Sequence, residues 1–106
     1  MRAHHEPVVC KDGFRVSIQA SSGHYCSPRL DDAPRWDSVE LGYPSDWDWL
    51  LTDYQDGDAT DDPTQSVYGW VPVGVVYLLL TKHGGVVSGE VPKGVPVYGL
   101  SHPKKK

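Results

Sequence analysis

Ser66-Val67-Tyr68-Gly69-Trp70-Val71-Pro72-Val73-Gly74-Val75-Val76-Tyr77-Leu78-Leu79-Leu80-Thr81-Lys82-His83-Gly84-Gly85 is the stretch on which the fold class turns. Ser66 to Val71 is rich in β-branched and aromatic side chains, which suit a pleated surface, and reads as a strand. Pro72 then stands where a first helical position would be, since proline has no N–H to leave unsatisfied there. Val75, Val76, Leu78, Leu79 and Leu80 follow, with Lys82 and His83 before the glycine pair. The expectation is a buried helix over residues 73–83 with a glycine stop. The valine content and Gly74 keep a strand as the alternative, because a short apolar run is not assigned by period alone.

Working outward, residues 8–20 read as two short strands around Lys11-Asp12-Gly13, because Asp-Gly supplies the positive φ of a tight hairpin. Phe14, Val16 and Ile18 then share a face. Residues 21–29 lack either period and are rich in turn formers, so a surface loop is expected. Trp36 to Tyr43 alternates as a half-buried strand, with Val39 and Leu41 on one face and Glu40 on the other, ended by Pro44. Ser45 is placed to cap a helix of at most two turns over residues 46–51, with Asp46 and Asp48 near its positive end. Residues 53–65 read as loop, and the Val-Pro and Gly spacing of 86–100 allows only brief, edge-like strands. Together these elements predict an α+β fold: an antiparallel sheet of about four strands packed with one or two short helices.

The 106 residues suffice for one core, so a single domain over 1–106 is expected, with residues 1–6 and 101–106 as flexible tails. Leu, Ile, Val and Phe supply 24 residues, which places the chain above the compositions typical of disorder. Valine supplies 14 of those and isoleucine one, which tilts the class toward strands. No apolar run approaches membrane-spanning length, and the first residues show no apolar signal region. Two cysteines, Cys10 and Cys26, are too few for a disulfide scaffold and are expected as thiols. The expected location is cytoplasmic, with no membrane partner.

Charge is the strongest asymmetry in the chain. Residues 31–62 hold eleven acids against Arg35 alone, for a net −10, whereas the remaining residues sum to +6. Such polarisation speaks to partners rather than to fold. The acids are either a solvated loop or a field that a basic, nucleic-acid-handling protein would accept. Trp47, Trp49 and Tyr54 interleave with them, as core anchors or as binding hot spots. The candidate partner-binding set is therefore Asp46, Trp47, Asp48, Trp49, Asp53, Tyr54, Asp56, Asp58, Asp61 and Asp62. The acids from Asp53 onward do not match the calcium-loop spacing. Cys10, His24, Cys26 and His83 lack paired zinc-ligand spacing, and Cys26 with His24 or His83 is a nucleophile and base only if folding brings them together. No phosphate-cradling glycine loop and no basic patch with interleaved aromatics is present, so neither a cofactor nor direct nucleic-acid binding is expected.

Cys10-Lys11-Asp12-Gly13-Phe14, Ser17-Ile18-Gln19-Ala20, His24-Tyr25-Cys26-Ser27-Pro28-Arg29, Val39-Glu40-Leu41-Gly42-Tyr43-Pro44-Ser45, Val67-Tyr68-Gly69-Trp70-Val71-Pro72 and Lys82-His83-Gly84-Gly85 follow one another in an order that resembles short bacteriophage and prophage proteins. The resemblance covers about residues 8–89 and transfers no catalytic residue. It implies an accessory protein that binds and blocks host defence machinery, such as a subunit of a CRISPR effector complex. The expected function is thus stoichiometric, anti-CRISPR-like binding to a host protein with a basic surface. A small metal- or cysteine-dependent enzyme and a virion structural or assembly protein are the alternatives.

Overall fold

A computed structural model describes residues 5–57 and 61–97. Five strands, β1 (Val8–Cys10), β2 (Arg15–Gln19), β3 (Ser38–Gly42), β4 (Val67–Pro72) and β5 (Val86–Ser88), form one sheet in the order β4-β3-β2-β1-β5. Every neighbouring pair is antiparallel. One α-helix, α1 (Val73–Lys82), and two short 3-10 helices, Trp49–Tyr54 and Pro63–Gln65, complete the α+β architecture. The sheet thus holds one strand more than the four expected, the extra one being the brief edge strand β5.

The β1–β2 hairpin turns at Lys11-Asp12-Gly13 as its sequence predicts. Gly13 has φ +96°, and the Asp12 carboxylate accepts from the Phe14 N–H at 2.9 Å, closing the turn from inside. Pairing of Ile18 with Leu41 and of Leu41 with Tyr68 lays a row of buried side chains across the sheet. The register slips between Val39 and Leu41: β4 spends Gly69 and Trp70 opposite the single residue Glu40, which is a β-bulge.

Helix α1 carries the chain from β4 at one edge to β5 at the other, so it must cross the sheet. Val76, Leu79 and Leu80, at the i, i+3, i+4 spacing of one helical stripe, are fully buried in the shared core. Pro72 is the N-cap rather than the first helical residue, and it still pairs with Ser38. At the other end the Gly85 N–H bonds to the Leu80 carbonyl at 2.8 Å and the Gly84 N–H to the Thr81 carbonyl at 3.0 Å, a Schellman stop with both glycines at positive φ.

One expected cap is corrected. Ser45 does not cap the following helix, because its hydroxyl accepts from the Arg15 N–H at 2.9 Å and its own N–H bonds to the Arg15 carbonyl at 2.8 Å. The chain remains tied to β2 there. The cap falls to Asp48, which accepts from the Leu50 N–H at 3.0 Å and starts the 3-10 helix three residues later than expected. Among the described residues no helix is long and apolar enough to cross a membrane.

Candidate functional site

Among the described residues, two places bring chemistry-bearing side chains together. The first lies where the hairpin tip meets the end of α1. The Asp12 N–H bonds to the His83 carbonyl at 3.2 Å, and the Phe14 ring stacks on the His83 imidazole at 4.0 Å between centroids and 9° between planes. His83 Nδ1 faces Asp12 Oδ2 at 2.6 Å and Nε2 faces Asp48 Oδ2 at 2.8 Å. Lys82 Nζ lies 3.1 Å from Asp48, whose side chain is 2% exposed. Burial alone would raise the Asp48 carboxyl, but hydrogen bonds from His83, the Leu50 N–H and Lys82 outweigh it and leave the pKa lowered. Asp12 is lowered too, chiefly by the Phe14 N–H and then by His83.

An open cavity of about 300 Å³ adjoins this cluster, lined in part by Asp12, Ser45, Asp46 and His83. Both imidazole nitrogens face carboxylates, so His83 supplies no free base to that space, and the Ser45 hydroxyl accepts from the Arg15 N–H. The cluster is a clamp: one imidazole fastens the hairpin tip and the 3-10 cap to the end of the helix.

The cysteines are equally quiet. Both are free and buried. Burial, then the charge of Asp12, pushes the Cys10 thiol up to about 11. Burial raises Cys26 as well, and its thiol donates to the Ser21 carbonyl at 3.2 Å while the His24 ring is held by the Ser21 hydroxyl at 2.6 Å. No group of three or more His, Cys, Asp or Glu side chains among the described residues is arranged to hold a metal ion.

The second place is a cavity of about 360 Å³ between the end of the first 3-10 helix and the β4 bulge, lined by Tyr25, Asp53, Tyr54, Gln55, Asp56, Gly69 and Trp70. The bulge throws Trp70 outward at φ +50°, 50% exposed, where its ring stacks on Tyr25 at 5.0 Å and 18°. Backbone bonds hold this pair in place. The Trp70 N–H donates to the Tyr25 carbonyl at 3.0 Å, and the Tyr25 N–H donates to the Glu40 carboxylate at 2.8 Å. Gly69 allows the approach, for a Cβ there would stand 3.1 Å from that of Tyr25.

Of the ten residues singled out from sequence, Asp53, Tyr54 and Asp56 line this cavity. Trp47 and Trp49 stand in solvent at 57% and 63% exposed, with the Lys82 ammonium 5.2 Å from the Trp49 ring centre. Asp46 is exposed and accepts from the Trp47 N–H at 2.8 Å. Asp48 instead turns inward to the clamp and presents nothing to a partner. The exposed Asp62 caps the Pro63–Gln65 turn by accepting from the Thr64 N–H at 2.9 Å, the bond that lowers its pKa most. Asp61 is exposed, with its carbonyl bonded by Gln55 at 3.3 Å, and Asp58 lies outside the described residues. Tyr25 and Trp70 were missed. Their one sequence signal is Gly69 inside a strand pattern, which marks a bulge.

Compared with protein-family models, curated proteins and solved structures, the chain matches none.

Proposed function

We propose that this chain is a stoichiometric binding protein whose acidic, aromatic surface docks on the basic face of a nucleic-acid-handling protein. One observation carries the reading: of four tryptophans only Trp36 is buried, while Trp47, Trp49 and Trp70 are 57%, 63% and 50% exposed. Leaving rings of that size in water forgoes roughly 1.5–3 kcal/mol of burial each, and tryptophan is the residue most enriched at binding hot spots. The carboxylates Asp46, Asp53, Asp56, Asp61 and Asp62 are exposed, with Asp46 beside Trp47 and Asp53 and Asp56 in the cavity with Trp70. A basic partner complements that charge and would be steered toward it. The resemblance to short phage proteins narrows the partner to a host defence complex such as a CRISPR effector, whose nucleic-acid channel is positively charged. Action is then in the cytoplasm, a reducing setting that suits two free thiols.

The test is capture from bacterial lysate with wild-type bait and with an Asp53→Lys, Asp56→Lys double variant, quantified by mass spectrometry at low and high salt. Exposed charges contribute little to stability, so the variant should fold normally. Wild type should retain a basic nucleic-acid-handling protein at equimolar ratio. The variant should recover about tenfold less of it at low salt, with the gap narrowing at high salt. Equal capture by both baits at both salts would overturn the docking reading.

A further inference from the structure

We infer that the Tyr25–Trp70 cavity is a receptor for a single arginine side chain of the partner, a reading that rests on the docking function above and specifies its anchor. Its wall is a stacked aromatic pair, 39% and 50% exposed at Tyr25 and Trp70, which leaves π surface open to solvent. Asp53 and Asp56 line the same space, both exposed, and their carboxylates make no hydrogen bond or ion pair among the described residues. Among the described residues no lysine or arginine lines the space. Two unneutralised carboxylates beside aromatic faces specify a cation that also stacks.

Guanidinium meets both demands better than ammonium. It is planar and weakly hydrated, so it lies on an aromatic face, and its fork of N–H donors serves carboxylates at the same time. The Tyr25 ring already accepts such a group, for the chain's own Arg29 guanidinium carbon sits 5.8 Å from its centroid. The site is also set before binding. The Trp70 backbone N–H is bonded to the Tyr25 carbonyl and the Tyr25 backbone N–H to Glu40, so the main chain beneath the two stacked rings is held and less order remains to be gained on binding.

The probe is a capped glycine-serine heptapeptide with one central arginine, matched by a peptide with lysine in its place. Each is titrated to millimolar concentration into the intact, ¹⁵N-labelled protein. The arginine peptide should move the Trp70 indole and Gly69 amide resonances, binding about threefold more tightly than the lysine peptide, with affinity falling as salt rises. Trp70→Gly should abolish the response while leaving the rest of the spectrum in place, because glycine suits the positive φ at that position. Asp53→Asn with Asp56→Asn should weaken binding and flatten its salt dependence. Equal response to both peptides, or no response to either, overturns the assignment. If the peptides leave Trp70 unmoved while lysate capture still depends on Asp53 and Asp56, the arginine receptor falls and the docking function stands. If the arginine peptide binds but capture ignores those acids, the docking function falls and the guanidinium site remains.

Discussion

His83 shows how much one side chain organises in so small a chain. Its two nitrogens reach Asp12 on the hairpin and Asp48 on the 3-10 cap, residues separated from it by 71 and 35 positions. No local pattern announces such a contact, and sequence reasoning placed Asp48 on the partner-binding surface. Asp48 also shows which carboxylates matter for stability. Its lowered pKa means that the folded state favours the ionised form, so its contribution is complete above the ordinary carboxylate range and is lost as pH falls through the folded value. Asp48→Asn should therefore lower stability by about 2–3 kcal/mol at neutral pH, the worth of charged hydrogen bonds to a buried group. Thermal unfolding of both proteins from neutral to strongly acid pH should show a constant gap that closes below the carboxylate range. A gap independent of pH would mean that the loss is one of packing.

At the scale of the element, α1 was legible because three signals agreed: proline at its start, an apolar stripe along it and a glycine pair at its end. A glycine in its first turn and one beyond its end nonetheless play opposite parts. Gly74 has nothing within 4 Å of an added Cβ, so Gly74→Ala should stabilise the helix by ~0.5–1 kcal/mol. Gly84 has φ +94°, and a Cβ there would stand 2.9 Å from that of Lys11, so Gly84→Ala should cost about 1–2 kcal/mol and disturb the hairpin tip. Urea unfolding of the two variants checks the sign of each. The bulge in β4 was not legible to the same degree. Val67-Tyr68-Gly69-Trp70-Val71 permits an unbroken strand, and only pairing with β3 decides that Gly69 and Trp70 together oppose one residue. The outward aim of Trp70, and with it the candidate site, follows from that register.

Across the whole molecule, one cluster of buried side chains draws on all five strands, α1 and the first 3-10 helix. Heat should therefore unfold it in a single transition, with backbone and aromatic circular dichroism giving the same midpoint; separated midpoints would show that the acidic connection melts apart from the sheet. Sequence by itself determined the α+β class, the hairpin and the segregation of acids between residues 31 and 62, and it favoured a helix with a glycine stop over a strand for residues 73–83. Each of these is written in contiguous residues through period, turn chemistry or composition. Tertiary structure alone decided that Asp48 faces inward while Asp53 and Asp56 face a cavity, that Tyr25 meets Trp70 across 45 positions, and that His83 joins the hairpin tip to the 3-10 cap. Those outcomes depend on strand register and on loops folded back against distant elements, and the energy that selects them comes from contacts between residues that share no local pattern.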